Sequence, residues 1–384
     1  MENISYPTKI WIGAQSQQRF SEFNNERLLV VTDQAMTLLP GFQVLLQQIN
    51  SSNTIHIFSE VVPDPPIEVI VAGVSVMEKL MPTVILAVGG GSAIDAAKGI
   101  KYFGQKAGLA EEILFVAVPT TSGAGSEVTN FSVITDSQKG QKYPLVTPDI
   151  QPDEAILATD LLLSIPPKVT ADTGMDVLTH AIEAYVSTKA NDFSDALCEK
   201  VVRLVFDYLP ACFEDGENPE AREKMHHASC MAGMAFNTTS LGLNHGLAHS
   251  LGGRFHVAHG RLNAVLLTQV ILYNSGSGQY AGPSSDNQWA AERYSRLATL
   301  LTGEHYAPRN GVKALVRLID RLNRRLGIPK GLSACGIDKQ ALREQQQQII
   351  QGALQDGCTS TNPRKPVAAD LNQILAAAVQ NMNC

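Results

Sequence analysis

The chain has 384 residues, which is too long for one ordinary domain, since domains run about 100–200 residues. Hydrophobic residues make up 44% and charged residues 17%, a composition that supports a sizeable core and excludes a mostly disordered chain. With 30 Lys and Arg against 37 Asp and Glu, the formal charge of -7 offers no basic surface for nucleic acid. We therefore expect a globular protein of two domains.

Membrane and secretion signals are not expected either. Apolar runs stay below the roughly 18 residues that a membrane-spanning helix needs. Residues 1–4 lack the basic and apolar regions of a signal peptide. The six cysteines are scattered without a C-x-x-C pair, which favours reduced thiols over a disulfide framework or a zinc knuckle. These features predict a cytoplasmic protein.

The first half of the chain alternates β-branched runs with helical stretches. Buried strands are predicted at residues 28–33, 55–58, 83–88 and 113–118. Apolar residues recur at helical intervals over 67–80 and again over 93–103. Strands that alternate with helices predict right-handed βαβ units and a parallel sheet. This half is typical of an α/β dinucleotide-binding domain with a Rossmann-like sheet.

The second half changes character after the Pro-Pro pair at 166–167, where β-branched runs become rare. Helical patterns dominate at residues 176–186, 193–209, 222–236 and 310–326. Because the pair cannot continue a helix or a central strand, it is a reasonable boundary. We expect an α/β domain over residues 1–165 and an all-helical domain over residues 166–384.

A glycine-rich turn follows the third predicted strand. Residues 89–92, Gly-Gly-Gly-Ser, come directly after Val88 and open the helix that carries Asp95. Glycine lets backbone amides approach a ligand closely, and a helix N-terminus adds unpaired N–H donors and a positive dipole end. The turn therefore predicts a diphosphate site. It has neither the G-x-G-x-x-G nor the G-K-[ST] fingerprint, so a simple tight connection is the alternative.

A second loop of small residues follows the fourth strand, over residues 119–127. Loops that follow neighbouring parallel strands lie along one sheet edge, where open α/β sheets bind ligands, so the two loops together favour a dinucleotide. Asp33 ends the first strand and favours NAD over NADP, because a carboxylate accepts from ribose hydroxyls and repels a 2′-phosphate. A helix N-cap is the alternative role for Asp33.

Two pairs of possible metal ligands in the second half are spaced four residues apart. Asp176 and His180 form one pair, and His245 and His249 form the other. On a helix, residues at this spacing project from one face. A carboxylate with several imidazoles suits a borderline divalent ion such as iron(II) or zinc. One such pair is most often structural, whereas two pairs flanked by small residues indicate a metal site.

Spacing alone leaves the ligand set open. Four ligands can be drawn in several ways from Asp176, His180, His245, His249, His256 and His259. A spare imidazole can relay protons instead. Gly252 and Gly253 are expected to end the helix that carries His249, which puts His259 on a separate segment.

These motifs resemble those of the iron-containing, or group III, alcohol dehydrogenases. The residues that carry the resemblance span almost the whole chain, at 89–95, 119–127, 173–185, 233–236, 245–259 and 361–364. Three further segments look most like the 1-propanol dehydrogenases of bacterial microcompartments, at 63–65, 142–145 and 252–256.

The resemblance implies a dehydroquinate synthase-like architecture and a specific set of site residues. It implies a metal, iron(II) or alternatively zinc, bound by Asp176, His180, His245 and His259, with His249 as the catalytic proton relay. The dinucleotide-binding residues that it implies are Asp33, Gly90, Gly91, Ser92, Asp95, Thr120, Thr121, Ser126 and Lys142. His256 is not a ligand in the family.

The activity implied is that of an NAD(H)-dependent alcohol dehydrogenase or aldehyde reductase. Short-chain primary alcohols and aldehydes such as 1-propanol and propionaldehyde are the expected substrates, with hydride passing to or from the nicotinamide while a metal polarises the substrate oxygen. We expect a homodimer or a higher homo-oligomer, in the cytoplasm or inside a microcompartment whose components are candidate partners.

The chain departs from the family pattern at a few positions near these motifs. Ala158-Thr159 replaces a common Asp-Pro, Ala258 replaces proline, and Arg261 stands where an aliphatic residue is usual. Arg261 would alter substrate preference, or it is simply solvated. The alternatives for the whole chain are a glycerol, polyol or phosphorylated-substrate dehydrogenase of the same fold, and a scaffold or docking role in a microcompartment.

Overall fold

A computed structural model describes residues 4–13, 15–110, 112–137, 141–282 and 287–380, with the backbone alone at 141, 142 and 380. The chain forms two compact units. Unit 1 comprises Met1–Ile165 and Glu217–Asn237, and unit 2 comprises Pro166–Gly216 and Thr238–Cys384. In the described part of the chain, no helix has the length and apolar character that crossing a membrane requires.

Unit 1 is built on a six-stranded parallel sheet with the strand order β1-β8-β5-β4-β2-β3. Its strands are β1 Lys9–Trp11, β2 Arg27–Asp33, β3 Thr54–Val61, β4 Val84–Gly89, β5 Leu114–Pro119 and β8 Glu154–Ile156. Strands β6 Phe131–Asp136 and β7 Gln141–Val146 form a separate antiparallel pair. The predicted parallel sheet is confirmed, and the four predicted strands are its β2 to β5.

Helices cover both faces of this sheet. Those of unit 1 are α1 Gln34–Thr37, α2 Pro40–Gln48, α3 Ile67–Leu80, α4 Gly91–Lys106 and most of α7 Pro219–Thr239. Along β2, Leu29 and Val31 pack with α3 and α4, whereas Leu28 and Val30 pack with α2 on the other face. Burial on both faces explains why these strands read as continuous apolar runs.

Helix α7 comes from the second half of the sequence but packs within unit 1. A side chain at Gly233 would place its Cβ 2.7 Å from the carbonyl oxygen of Gly125. The α7 backbone therefore lies directly on the loop at 119–127. The Ser122 hydroxyl lies 3.1 Å from Nδ1 of His226 on the same helix. This helix thus supports the loop that the sequence predicts to bind a dinucleotide.

Unit 2 is helical throughout its described residues. Its helices are α5 Pro167–Val186, α6 Asp192–Glu214, α8 Leu243–Phe255, α9 His259–Asn274, α10 Gln288–Thr302, α11 Pro308–Arg325, α12 Lys339–Gln355 and α13 Ala368–Gln380. Helix α5 is buried along most of its length. Pro167 opens it at the first helical position, where the missing N–H of proline costs no hydrogen bond. The predicted helical half is confirmed.

The expectation that Gly252 and Gly253 end a helix is wrong. Helix α8 continues through both glycines to Phe255, and His256 ends it with a left-handed φ of 52°. Packing of α8 outweighs the cost of about 1 kcal/mol that glycine adds in a helix interior. His259 opens α9, so its predicted place on a separate segment is confirmed.

The cysteines of the described residues are all free thiols: Cys198, Cys212, Cys230, Cys335 and Cys358. This agrees with the prediction of reduced cysteines. Cys384 lies outside the described residues.

Candidate dinucleotide and metal sites

The glycine-rich turn and the second loop touch each other in unit 1. Strand β4 ends at Gly89, and Gly90 caps α4, which begins at Gly91. A Cβ at Gly91 would lie only 2.8 Å from the Cβ of Ala124 in the second loop. The amide of Thr120 donates to the carbonyl of Gly89 across 2.9 Å. The two loops therefore form one surface at the C-terminal edge of the sheet, as the order of parallel strands predicts.

Asp95 and Ser126 are held inside this surface by hydrogen bonds. One oxygen of Asp95 accepts from the Ser126 hydroxyl at 2.6 Å, and the other accepts from the amide of Val133 at 3.0 Å. Lys98 donates to the Ser126 hydroxyl at 3.0 Å. Burial raises the pKa of Asp95, while Lys98 opposes that rise. These bonds hold α4 against the second loop and against strand β6 of the antiparallel pair. Contact of Asp95 or Ser126 with a dinucleotide stays a prediction.

Asp33 fills the helix-cap role, and its contact with a ribose stays a prediction. Its Oδ1 accepts from the amide of Met36 at 2.9 Å, so it caps α1. Its Oδ2 lies 3.9 Å from the point where a Cβ at Gly89 would be. Capping therefore uses one oxygen and leaves the other facing the glycine-rich turn.

Three other predicted cofactor residues lie near the same turn. The hydroxyl of Ser92 accepts from the amide of Asp64 at 3.3 Å. Thr120 is buried, and the Thr121 hydroxyl lies 3.3 Å from the position of a Cβ at Gly90. The side chain of Lys142 lies outside the described part of the chain.

The four residues that the resemblance implies as metal ligands converge in unit 2. Asp176 and His180 lie on α5, His245 on α8, and His259 at the start of α9. The ligand atoms of Asp176, His180 and His245 all lie within 4.8 Å of one another. Nε2 of His259 lies 3.6 Å from Oδ1 of Asp176. Three separate helices thus bring these side chains to one place.

The electrostatics of this group favour a bound cation. Burial opposes ionisation of Asp176, but the neighbouring histidines, His180 first and the hydrogen bond from His245 with it, hold its pKa well below its ordinary value. Burial also lowers the pKa of His259, which keeps that imidazole neutral and its lone pair available. One ionised carboxylate and three imidazoles make a donor set that fits iron(II) or zinc.

Glu183 supports His245 and was not predicted from the sequence. Its Oε2 lies 2.5 Å from Nδ1 of His245, and its Oε1 accepts from the amide of Asn244 at 2.6 Å. Burial would lower the pKa of His245, whereas the Glu183 carboxylate raises it to about 9. The more basic imidazole is a stronger ligand, and the proton on Nδ1 directs Nε2 toward Asp176. Glu183 lies three residues after His180, a spacing that could have revealed it.

His249 faces the same group but pairs with a different carboxylate. Its Nδ1 lies 2.8 Å from Oδ2 of Asp356, which follows α12. Its ring stacks on that of His259, with 5.1 Å between centroids. Cys358 lies close enough to form a second ligand group with these two residues, but burial raises the pKa of its thiol and disfavours the thiolate that binds metals. Asp356 lies 107 residues from His249, so no local signal could have revealed it.

Asn263 was also missed, although it lies one helical turn after His259. Its Nδ2 donates to Oδ1 of Asp176 at 2.6 Å. The same nitrogen lies 3.1 Å from Nε2 of His245 and 3.1 Å from Nε2 of His259. A fully buried amide thus contacts three of the four predicted ligands.

Arg261 is paired rather than solvated. Its guanidinium makes two parallel bonds to Asp172, at 3.0 and 2.7 Å, and its side chain is 16% exposed. Asp172 lies one turn before Asp176 on α5. The solvated alternative is therefore wrong, and the pair joins the first turn of α9 to α5.

A Rossmann-like unit with a glycine-rich turn and an Asp/His group that fits a divalent ion are together typical of a dehydrogenase with a candidate metal site. The profile of iron-containing alcohol dehydrogenases matches residues 7–159, and that of the C-terminal part of this family matches residues 170–379. The chain belongs to the iron-containing alcohol dehydrogenase family. It is accordingly an oxidoreductase that acts on alcohols with a nicotinamide cofactor.

Individual relatives are similar over their whole length. The chain is 42% identical to 1-propanol dehydrogenase PduQ of Citrobacter freundii, with 98% of this chain and 99% of that protein covered. It is 43% identical to 1-propanol dehydrogenase PduQ of Salmonella typhimurium, with the same coverage. A solved 1,3-propanediol oxidoreductase is 30% identical, with a TM-score of 0.88 over 98% of this chain and all of that one. The chain is thus PduQ-like within its family.

Replacement of Gly260 should separate two of the helices that carry the metal group. In Gly260→Ala, the new Cβ would lie 2.0 Å from the backbone oxygen of Asp172, so α9 must move away from α5. We expect a loss of about 2 kcal/mol of stability and at least roughly tenfold weaker zinc binding. Thermal unfolding and a chelator competition measure these. Gly253→Ala, with nothing within 4 Å of its Cβ, is the matched control and should stabilise α8 by up to about 1 kcal/mol without changing zinc affinity. Unchanged zinc affinity in Gly260→Ala would contradict this account.

The Arg261–Asp172 pair should behave as a coupled unit. Arg261→Leu leaves the Asp172 carboxylate without its partner, and we expect it to cost about 2–3 kcal/mol. Asp172→Asn combined with Arg261→Leu should recover much of that loss, since no charge is then left unpaired. Urea unfolding of the two single variants and the double variant gives the coupling free energy. Additive losses would exclude the coupling.

Proposed function

We propose that this protein is a metal-dependent NAD(H) alcohol dehydrogenase and aldehyde reductase for short-chain primary substrates such as 1-propanol and propionaldehyde. The observation that carries the proposal is the convergence of Asp176, His180, His245 and His259 in unit 2. The names of the 42% and 43% identical relatives support the substrate class. Asp176, His180, His245 and His259 would hold iron(II), or alternatively zinc.

The two parts of the chain would divide the work. We propose residues 1–165, together with α7 that packs on their second loop, as the dinucleotide-binding domain, and the remainder of residues 166–384 as the metal-binding catalytic domain. Gly90, Gly91 and Ser92 would hold the pyrophosphate at the N-terminus of α4, where unpaired N–H groups favour anions. The Oδ2 of Asp33 faces this turn and would accept from a ribose hydroxyl, so we propose a preference for NAD(H).

His249 would carry the proton in this reaction. An ion bound to the Asp/His group supplies Lewis acidity, which lowers the pKa of an alcohol and polarises a carbonyl. In alcohol oxidation, hydride passes to the nicotinamide and the hydroxyl proton must leave. With Nδ1–H of His249 donating to Asp356, Nε2 is free to accept that proton. Burial raises the pKa of Asp356, but the interaction with His249 outweighs burial and lowers that pKa to about 2. Asp356 therefore stays ionised and holds the His249 ring in this orientation.

The alternative of a phosphorylated substrate has less support. Such a substrate needs Lys or Arg side chains that converge on the site. Arg261 is the basic residue nearest to His259 in sequence. Two nitrogens of its guanidinium already donate to the two carboxylate oxygens of Asp172. A glycerol or polyol substrate is compatible with the same donor set and stays the second candidate.

The cellular setting is a proposal from similarity alone. The similarity to proteins named PduQ supports a propanol dehydrogenase that works in the cytoplasm or inside a microcompartment. A homodimer or a higher homo-oligomer stays our expectation. A scaffold or docking role without catalysis is disfavoured, because a scaffold has no need for four converging ligand side chains.

Metal-dependent turnover is the direct test of the proposed function. The chain is freed of metal with a chelator, reloaded anaerobically with iron(II) or with zinc, and assayed for NADH and NADPH oxidation with propionaldehyde, glyceraldehyde and a phosphorylated aldehyde. We expect turnover only with metal, fastest with propionaldehyde and NADH. His245→Ala should lose metal and turnover but keep its NADH affinity. Equal rates with and without metal, or metal-dependent turnover in His245→Ala, would refute the proposal.

The relay role of His249 has its own kinetic signature. We expect His249→Ala to lower kcat about 10²-fold or more at neutral pH, with a much smaller change in KM. Asp356→Asn should lower kcat in the same direction but less, because it removes only the group that orients the imidazole. Metal content is measured in parallel and should stay at the wild-type level in both variants. A kcat close to wild type in His249→Ala would exclude the relay.

A further inference from the structure

We propose that Asn263 is an exchangeable partner of the proposed metal ligands Asp176 and His259, which donates its two amide N–H groups to them when no metal is bound and yields His259 when a metal binds. This inference rests on the proposed function, since it concerns the same ligand group. It assigns a role to a residue that neither the sequence motifs nor the ligand set includes.

The orientation of the Asn263 amide is fixed by its neighbours. Nδ2 of Asn244 donates to Oδ1 of Asn263 at 2.9 Å and to its backbone oxygen at 3.1 Å. With Oδ1 occupied in this way, Nδ2 of Asn263 points at the ligands. The opposite orientation would set Oδ1 at 2.6 Å from a carboxylate oxygen of Asp176, where two acceptors repel. The amide therefore presents its donors, and not its acceptor, to the group.

The contact of Asn263 with His259 and metal coordination by His259 exclude each other. The amide nitrogen of Asn263 has two N–H groups, and we assign one to Oδ1 of Asp176 and the other to Nε2 of His259, which lie 2.6 and 3.1 Å away. A lone pair binds one partner at a time: a proton, the amide or a cation. Coordination by Nε2 of His259 must therefore displace Asn263 from that ring.

The contact with Asp176 need not be lost. A carboxylate offers several lone pairs, so Oδ1 or Oδ2 of Asp176 can bind a cation while Asn263 still donates to the other. Asn263 is fully buried, and its amide has little access to water as an alternative partner. Without it, Oδ1 of Asp176 and Nε2 of His259 would both lose their donor, which is costly. Asn263 thus holds these two ligands together before metal arrives, and competes with the metal for His259.

The exchange makes a prediction opposite to that of a purely structural residue. If Asn263 supports mainly the metal-free group, its removal should destabilise the metal-free protein more than the loaded protein. Metal binding stabilises the folded protein by an amount that grows with metal affinity. A variant in which the loaded and metal-free proteins differ more in stability than in wild type therefore binds metal more tightly. A residue that only packs or braces the site predicts equal losses, or weaker metal binding when it is removed.

The experiment compares Asn263→Ala, Asn263→Asp and wild type, each stripped of metal and then reloaded with zinc. In Asn263→Ala we expect the metal-free melting temperature to fall by about 4 °C or more, with less than half that fall after loading. Zinc affinity, measured against a chromophoric chelator, should rise about fivefold. Asn263→Asp is nearly isosteric and should be less stable still without metal and bind zinc about tenfold tighter, because it adds a carboxylate beside Asp176.

Asn323 offers a matched control. It is also a buried asparagine, and its amide donates to the carbonyl of Ala264 on α9 at 3.1 Å, without contact to a proposed ligand. Asn323→Ala should lower both melting temperatures equally and leave zinc affinity unchanged.

The outcomes separate this inference from the proposed function. Parallel falls in both melting temperatures, or weaker zinc binding in Asn263→Ala, would overturn the exchange while leaving the metal enzyme in place. A wild-type melting temperature that responds to neither zinc nor iron(II) would overturn both.

Discussion

A row of ionisable side chains along one buried face of α5 is the constraint on which unit 2 depends. Asp172, Asp176, His180 and Glu183 follow one another at spacings of four, four and three residues, so they share a face. A buried helix face with this many charged or polar groups is unstable unless each finds a partner. Helices α8 and α9 provide those partners, and this requirement fixes where both helices lie against α5.

The four side chains of this row find three kinds of partner. One forms a salt bridge, one is a carboxylate that accepts hydrogen bonds, and two belong to the proposed ligand group. At one end of the row, Asp172 takes both arms of Arg261; at the other, Glu183 takes Nδ1 of His245 and the amide of Asn244. Between them lie Asp176 and His180. The two outer pairs thus fix the first turns of α9 and α8, from which His259 and His245 reach the same point. Arg261, which departs from the family pattern, pairs with Asp172 and so links α9 to α5.

Much of this organisation could be predicted from the sequence, and the rest could not for physical reasons. Continuous apolar runs revealed the four central strands, because strands buried on both faces have no polar alternation. Strands β1 and β8 have three residues each, too few for any periodicity to emerge. Helix α7 joined unit 1 against expectation, since an amphipathic helix shows which face is buried but not what buries it.

In the candidate site, too, some residues could be predicted from the sequence and others could not. The ligand pairs at spacing four, and Glu183 and Asn263 at helical intervals from a ligand, leave a local signature. Asp356 leaves none, because its partnership with His249 spans 107 residues. The sequence also could not show that capping by Asp33 occupies one carboxylate oxygen and leaves the other facing the glycine-rich turn, since only geometry separates the two oxygens.

Stability alone gives no reason for this polar group. Removing a carboxylate and imidazoles from water costs several kcal/mol for each charge, and well-packed apolar side chains of similar volume often serve a core equally well or better. Here Asp176 is buried with three imidazoles around it, and Glu183 and Asn263 supply hydrogen bonds that keep each group in one orientation. The proposed cation would supply the missing compensation, because its binding free energy would contribute to the stability of unit 2, and metal loading and folding of that unit would then be linked.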